Sequence, residues 1–435
     1  TLLPGSNSIA VQADFSGLTP GPQTGNVAIA LSDGTVFNIQ VEALVTGSVA
    51  AIARPQPHTM LEPRAIAACA GGIPGSFVAA FRQPLDQASL QVAVAQTLQV
   101  QIVDGCGNPL SQKNGGTAQA ILGGNAALDL HDAGNGIWEN TWTPVAASQQ
   151  LSLQVAVSEQ GAGLAPASPG ITVAVLPASA GAAGQPAGIV NAASGAHASL
   201  QVASPGSYVA IYGTGLSADG AVTASTLPFP TTLNGTQLFL GDKPLPLYYS
   251  SPGQVNALIP QDLVPDTSYQ LVVVRGSTRS VPVPLTITQA EPGIYTENAS
   301  GSGQGAILIG GTASLAAPAG PNSRPVVRGQ EVLAVFCTGL GPVQGPNGEA
   351  PPADGAAAPA TTIFQTTWKV TATVGGVDAP VLFAGFTPTL VSLYQVNVGV
   401  PAGVSPGDAV PVVITVADPA TGATLSSNTV TVAVQ

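Results

Sequence analysis

The chain has 435 residues, enough for roughly two to four domains, and only 7% of them are charged, against about a quarter in an ordinary soluble domain. With 52 glycines, 39 prolines and 45% hydrophobic residues, it is too apolar for a disordered chain and too rich in turn-forming residues for a helical one. A net charge of −12 with ten Lys and Arg argues against nucleic acid as a partner, and the lack of a long apolar run argues against membrane insertion.

Residues 1–46 contain three runs of alternating polar and apolar residues, at 7–15, 23–31 and 35–44. Such alternation predicts strands that each bury one face. Three strands bury too little apolar surface to be stable alone. The segment is therefore predicted to be a partial domain that another segment or another subunit completes. The chain begins at Thr1 without a Met or a signal-like segment, as expected of a processed or trimmed protein.

Residues 47–65 contain three prolines and no periodicity, and they are predicted to form a linker. From 66 to 177, short strands recur at the spacing of a complete β-sandwich. Within it, the run GIWENTW places Trp138 and Trp142 on the same face of one strand. We expect these two rings to pack in a core or a domain interface, with contact to a sugar as the alternative.

Residues 178–187 are small and form a second predicted linker, which an internal repeat follows. The element Gln-Val-Asn with a Pro six positions after the Gln occurs at 254–260 and again at 395–401, and a Thr-Gly-Leu triplet precedes it in both copies. The longer spacing in the second copy is due largely to an Ala/Pro/Gly-rich insertion at 345–360, predicted to be a loop. The repeat predicts two tandem β-sandwiches, 188–290 and 291–435.

The second copy carries the strings TGLGP, GGVDAPVLFAGFTP, LYQVNVGVPAG and SNTVTVAV, and IVNAASGA opens the first copy. These strings resemble the Solibacter-type uncharacterised C-terminal domain family, found at the ends of large secreted bacterial proteins. The resemblance covers 188–435, although the first copy has YSSPGQVN where the family carries an AG-x-x-P stretch. Residues 14–45 are similar to the last strands of BACON-type bacterial Ig-like domains.

The resemblance implies secretion and tandem Ig-like (IPT/TIG-like) β-sandwiches, here joined by short Pro/Ala/Gly linkers, and it implies no activity. The predicted fold class is accordingly all-β, and the predicted location is extracellular, at the cell surface. In that setting Cys69 and Cys106, both in Gly-rich surroundings near strand ends, are candidates for a disulfide. Cys337 lies in an apolar run and is predicted to be a buried small residue.

Catalysis requires titratable groups gathered in one place, and the sequence offers no such constellation. The three histidines, His58, His131 and His197, lie in different segments, and no zinc, phosphate-loop or nucleophile-elbow motif occurs. Asp132 and Glu139 are interpreted as solvated loop carboxylates. We therefore predict no enzyme activity, no cofactor and no metal.

Two sequons, at Asn234 and Asn298, are candidate glycan acceptors. The Gln and Asn of the repeated element alternate with Val on a predicted strand. We expect them to bond the backbone of a neighbouring loop and so to hold the two sheets in register.

The leading functional hypothesis is a structural protein that self-associates head to tail into a filament, through strand complementation by the partial domain at 1–46. The alternative is a monomeric surface adhesin or glycan-binding stalk. In that case the candidate ligand contacts are the aromatic side chains of Trp138, Trp142, Tyr248 and Tyr249.

Overall fold

The computed structural model describes residues 21–30, 36–45, 77–104, 108–124, 126–158, 165–178, 184–195 and 201–435. Within these ranges the chain is built from β-strands, with one short 3-10 turn at Gln112–Asn114 and no α-helix. The all-β fold class is therefore confirmed. No helix in the described ranges is long and apolar enough to cross a membrane. The chain divides into two compact units, Thr1–Pro177 (unit 1) and Ala178–Gln435 (unit 2).

The first described strands of unit 1 form a β-hairpin. Strands β1 (Gly21–Ala30) and β2 (Val36–Val45) pair antiparallel over their full length and form a sheet of two strands. They confirm two of the three predicted N-terminal strands. The third, at 7–15, lies outside the described residues, as does the predicted linker at 47–65.

The other described strands of unit 1 form a β-sandwich. Its hydrogen-bonded order is β3-β5-β8-β7-β6-β9-β10-β4, and β10 also pairs with β3, which closes the sandwich on itself. The alternation in β5 puts Leu98, Val100 and Ile102 in the core with no exposed surface. The strands are β3 (Phe77–Gln83), β4 (Ser89–Gln91), β5 (Gln96–Asp104), β6 (Thr117–Leu122), β7 (Ala126–Gly134), β8 (Ile137–Trp142), β9 (Ser148–Ser158) and β10 (Ala165–Leu176).

The first repeat of unit 2 is a sandwich of two sheets, β11-β13-β18-β17-β14 and β12-β21-β19-β15-β16. Its first strand begins at Gln185, inside the predicted linker 178–187, because residues from 185 on pair with β13. The strands are β11 (Gln185–Asn191), β12 (Val202–Ala203), β13 (Tyr208–Thr214), β14 (Val222–Thr223), β15 (Gln237–Leu240), β16 (Lys243–Pro244), β17 (Leu247–Ser250), β18 (Gln254–Leu258), β19 (Thr267–Arg275), β20 (Thr278–Arg279) and β21 (Val283–Ile287).

The second repeat has the same arrangement, with sheets β26-β25-β24-β27-β33-β32-β29-β28 and β23-β36-β34-β30-β31. Strands β27, β33 and β32 pair in the order in which β13, β18 and β17 pair in the first repeat. The strands are β22 (Gly293–Ile294), β23 (Gly303–Gln304), β24 (Ile307–Ile309), β25 (Leu315–Ala316), β26 (Ser323–Arg324), β27 (Val332–Thr338), β28 (Val343–Gln344), β29 (Gln365–Thr366), β30 (Lys369–Val374), β31 (Val377–Ala379), β32 (Val381–Phe386), β33 (Tyr394–Gly399), β34 (Gly407–Ala417), β35 (Thr424–Ser426) and β36 (Val430–Val434).

The two repeats meet directly, and their boundary is a buried junction. Asn191 donates from Nδ2 to the carbonyl oxygen of Glu291 (2.9 Å), and the Glu291 N–H donates to the Gly339 carbonyl (2.8 Å). The hydroxyl of Tyr208 in the first repeat donates to the Val391 carbonyl in the second (2.8 Å). Because buried polar groups are costly to leave unpaired, these bonds hold the repeats together as one unit.

The Ala/Pro/Gly-rich insertion at 345–360, which we call the strap, also joins the repeats. It was predicted to be a loop, and the structure shows it seated on the first repeat. The N–H of Phe229 donates to the Gly355 carbonyl (2.9 Å), and the N–H of Gln261 donates to Asp354 Oδ1 (2.9 Å). The strap thus satisfies backbone donors of the first repeat with acceptors from the second.

Gly355 tests how much the strap contributes to the stability of unit 2. Its φ is +77°, and an added Cβ would lie 3.0 Å from Phe229 N and 3.1 Å from Pro246 Cβ. Gly376 has a similar φ of +76° and open space around it, so Gly376→Ala isolates backbone strain. We expect Gly376→Ala to lower the free energy of unfolding by about 1–2 kcal/mol, and Gly355→Ala by about 2–4 kcal/mol, since overpacking adds to the strain. Calorimetric unfolding of the full chain measures both, and equal losses would contradict a seated strap.

Candidate functional site

The outer face of the first repeat's five-stranded sheet carries a set of tyrosine and amide side chains. In the β13–β18–β17 ladder, Tyr212 lies opposite Gln254 and Tyr249 lies opposite Asn256. Directly opposed residues share a face of a sheet, so these four side chains point the same way. The intervening Val255 is fully buried on the other face. We call the set of five outward-facing residues the tyrosine face: Tyr212, Tyr248, Tyr249, Gln254 and Asn256.

Tyr248 joins this face through a break in the strand register. Between the pairs Leu247–Ala257 and Tyr249–Asn256 the register shifts by one residue, which makes Tyr248 the extra residue of a β-bulge. Its ring packs edge-on against Tyr208, with centroids 6.5 Å apart, and at 5.5 Å from Phe229. Tyr248 nevertheless stays 43% exposed. The bulge therefore presents a second ring beside Tyr249.

Gln254 and Asn256 form an amide pair in the middle of the tyrosine face. Gln254 Nε2 donates to Asn256 Oδ1 at 2.8 Å, and Gln395 Nε2 donates to Asn397 Oδ1 at 2.8 Å in the second repeat. The prediction that these side chains bond a loop backbone is therefore wrong, since each Gln bonds the Asn two residues ahead on the same face. The bond leaves an acceptor on the Gln oxygen and donors on the Asn nitrogen.

Tyr208 connects the tyrosine face to the junction between the repeats. Its hydroxyl donates to the Val391 carbonyl, and its N–H donates to Thr338 Oγ1 at 3.0 Å. Burial, with a smaller contribution from Tyr248, raises the pKa of the Tyr208 phenol well above its usual value. The group therefore remains a neutral donor. Since the strap bonds Phe229, the second repeat borders the tyrosine face at this end.

The predicted aromatic contacts fall in different units. Trp138 is 2% exposed, and its indole N–H donates to the Leu110 carbonyl (3.1 Å), so the interpretation of this ring as core is confirmed. Trp142 is half-buried opposite Gln96. Tyr248 and Tyr249 both lie on the tyrosine face of unit 2.

Sequence reasoning missed Tyr212, which is 45% exposed on the same face. A signal was available. In the run YVAIYG, Tyr208 and Tyr212 are separated by an even number of positions, so a strand places both on one side.

The two sequons differ in their surroundings. A glycan would be attached to Asn234 Nδ2. In the structure this atom donates to Ser217 Oγ (3.2 Å) and to the carbonyls of Ala218 (3.2 Å) and Gly220 (3.3 Å). Asn298 is exposed, and its Oδ1 accepts from the Ser300 N–H at 3.0 Å. The structure therefore favours Asn298 over Asn234, and glycosylation there stays a prediction.

The remaining predicted chemistry is scattered. Cys69 and Cys106 lie outside the described residues, as do His58 and His197. Cys337 is fully buried, as predicted, and burial raises the pKa of its thiol. Across the described ranges, no group of three His, Cys, Asp or Glu side chains could hold a metal ion.

The predicted loop carboxylates are both hydrogen-bonded within unit 1. Asp132 accepts from the N–H groups of Gln112 and Gly134, each at 2.8 Å. Glu139 Oε2 accepts from Gln99 Nε2, also at 2.8 Å. Both residues belong to strands, Asp132 to β7 and Glu139 to β8, so their description as loop residues is wrong.

No protein-family model matches the chain. No curated protein matches it either. The chain shows a weak likeness to several solved structures. One is SGBP-B of the Bacteroides ovatus mixed-linkage glucan utilization locus, solved in complex with a mixed-linkage heptasaccharide. The two sequences are 12% identical, the match covers 82% of this chain and 70% of that one, and the TM-score is 0.27.

A second likeness is to the fibronectin(III)-like modules of Clostridium thermocellum CbhA, at 10% identity, with coverage of 48% and 93% and a TM-score of 0.19. A third is to a Ca²⁺-stabilized adhesin with which an Antarctic bacterium binds ice, at 14% identity, with coverage of 95% and 81% and a TM-score of 0.18. TM-scores this low say nothing about the ligand of this chain.

Glu291 makes the stability of the junction depend on pH. Desolvation raises the pKa of its buried carboxyl from 4.5 to about 8. Between these values the folded chain keeps a proton that the unfolded chain has released, so stability falls as the pH rises, by up to about 1.4 kcal/mol per pH unit. We expect Glu291→Gln to raise the melting temperature at pH 8 and to leave it nearly unchanged near pH 4.5.

The matched control for this variant is Glu297→Gln, which removes an exposed carboxyl six positions away. Calorimetric melting of the wild type and both variants from pH 4 to pH 9 provides the comparison. Parallel pH profiles for the wild type and Glu291→Gln would contradict the assignment.

Proposed function

We propose that this chain is a non-enzymatic extracellular adhesin that binds neutral carbohydrate on the tyrosine face of its first repeat. The observation that carries the proposal is the juxtaposition of exposed tyrosine rings with the amide pair. Tyr212 and Tyr248 are each more than two-fifths exposed, and Gln254 and Asn256 lie between their strands. Gln254 Oε1 and Asn256 Nδ2 make no hydrogen bond within the described part of the chain.

This combination fits the two surfaces of a sugar. A pyranose ring has apolar C–H faces, which pack on an aromatic ring, and hydroxyl groups at its edge, which both donate and accept. Tyrosine supplies rigid contact area at a low cost in conformational entropy. The amide pair supplies one acceptor and one donor side by side. The five side chains of the tyrosine face are uncharged, which suits a neutral ligand.

The spacing of the rings indicates a ligand longer than one sugar. Tyr212 and Tyr249 are separated by two strand spacings and offset by two residues, which places their Cα atoms about 12 Å apart. Strand side chains stand roughly perpendicular to the sheet, so the two rings extend from points farther apart than the width of one pyranose. The face is therefore suited to an oligosaccharide that lies across the three strands.

An extracellular location is supported by the low charge of the chain and by the resemblance of 188–435 to the Solibacter-type family of secreted proteins. Membership of that family is itself part of the proposal.

The tyrosine face predicts a specific loss of binding. We expect Tyr212→Ala and Tyr248→Ala each to weaken binding to a retained polysaccharide about 2- to 10-fold, since an aromatic contact contributes about 0.5–1.5 kcal/mol. Native affinity gels containing β-glucan, xylan or mannan measure the change. Val281→Ala, which truncates a side chain 62% exposed near the other sheet, is the matched control. Unchanged retention of both tyrosine variants would refute the proposal.

A second candidate function, head-to-tail assembly into a filament, is favoured by the hairpin of β1 and β2. Within the described residues these strands pair with each other and with no other strand, and an unpaired strand edge is a site where a strand from another subunit can add. Against it, Cα atoms of β1 approach β3 and β10 to within 8 Å, which places the hairpin against the sandwich of its own unit.

Deletion of residues 1–46 tests assembly. If strand complementation operates, the full chain forms filaments visible by negative-stain electron microscopy, and the deleted chain elutes as a monomer in size-exclusion chromatography. Removing residues 1–20 alone retains the hairpin and serves as the control. Filaments that persist without residues 1–46, or a full chain that stays monomeric at high concentration, would contradict assembly through this segment.

A further inference from the structure

The second repeat contains the same amide pair as the first, and there the pair lines a cleft. Gln395 and Asn397 occupy the positions on β33 that Gln254 and Asn256 occupy on β18. The cleft has a volume of about 430 Å³. Its other walls include Gly310, Glu331 and Leu382.

Glycine and a second bulge give the cleft its shape. Gly310 and Gly311 form the turn after β24 and present no side chain to the cleft, and Gly311 has a φ of +72°, which suits glycine. On the opposite side the register of β32 shifts between Val381 and Phe383. Leu382 is the bulged residue, and it is 64% exposed. It holds the place in this repeat that Tyr248 holds in the first.

The charged groups beside the cleft neutralise each other. Arg324 makes a bidentate ion pair with Glu331, with N–O distances of 2.8 and 2.6 Å, and Glu331 Oε2 also accepts from the Val327 N–H at 2.8 Å. Both carboxylate oxygens are thus occupied by donors from the chain itself. The cleft therefore offers no unpaired charge from these two residues, and the uncharged polar side chains that line it are those of the amide pair and Gln330.

We propose that this cleft is a second carbohydrate subsite, which makes the chain bivalent. Gln395 Oε1 accepts from a sugar hydroxyl and Asn397 Nδ2 donates to one, while the exposed side chain of Leu382 packs on the C–H face of the ring. The assignment of the ligand class rests on the function proposed for the tyrosine face. The cleft itself is an independent observation.

Bivalency has a consequence for the kind of ligand retained. The junction and the strap join the two repeats into one compact unit, so the two subsites are held at a fixed separation. A polysaccharide long enough to reach both binds the second subsite at a high effective concentration. A short oligosaccharide fills each subsite separately.

The experiment compares a polymer with its own oligomer on the full-length chain. Polysaccharides from a panel of β-glucan, xylan and mannan are screened in native affinity gels, and the hexasaccharide of the retained polymer is titrated by native mass spectrometry. Asn397→Ala and Leu382→Arg block the cleft, and Tyr212→Ala/Tyr248→Ala blocks the tyrosine face. Leu425→Arg, at a leucine 40% exposed on the other sheet, is the matched control for an added charge. Melting temperatures verify that each variant is folded.

We expect two hexasaccharides per wild-type chain and one after either the cleft or the tyrosine face is blocked. Retention by the polymer should fall about tenfold or more in each case and disappear when both are blocked. The control variant should behave as the wild type.

One bound hexasaccharide that only the tyrosine variants remove would overturn the second subsite and leave the proposed function standing. Loss caused only by the cleft variants would establish the cleft and refute the tyrosine face. A wild-type chain that none of the three polysaccharides retains would overturn both proposals.

Discussion

The alternation of side chains along one central strand in each repeat determines both the core and the candidate site. On β33, Tyr394, Val396 and Val398 are fully buried, and the two residues between them are the amide pair. A strand can present only two faces, so every apolar residue committed to the core leaves its neighbour for the surface. The polar face of the sheet is thus a direct consequence of building the core with period two.

The second constraint is the buried junction, which makes two repeated sandwiches behave as one unit. Asn191 is central to it, because its Oδ1 accepts from the N–H groups of Ala193 and Ser194 while its Nδ2 reaches the Glu291 carbonyl. One side chain therefore orders the start of the first repeat and bonds the start of the second. Tandem domains of this kind commonly move relative to each other when their shared interface is small and polar. Here the bonds of Tyr208 and the strap add further fixed points.

Much of the fold could be predicted from the sequence, because strand alternation and turn residues are local signals. The hairpin β1–β2, the buried face of β8 with Trp138, and the doubled Gln-Val-Asn strands all follow from period two. What could not be predicted depends on partners distant in sequence. Alternation shows that Gln254 leaves the core, but not that its partner is the amide two residues ahead.

The full tyrosine face could not be predicted from strand alternation either. The bulge at Tyr248 breaks the alternation from which its orientation would be predicted. The strap was unpredictable for a different reason: its composition indicates only that it is irregular, and its docking uses main-chain atoms of the first repeat.

Docking through main-chain atoms constrains few positions in the sequence of the strap. The strap accepts two hydrogen bonds from the first repeat, donated by the backbone N–H groups of Phe229 and Gln261. Any non-proline residue at those two positions would supply the same donor. On the strap itself, the bonded acceptors are one carbonyl, at Gly355, and one carboxylate, at Asp354. Most of the insertion can therefore drift in sequence and in length while two adjacent residues preserve the attachment. The attachment of the strap to the first repeat thus depends on backbone N–H groups of that repeat and on two adjacent strap residues.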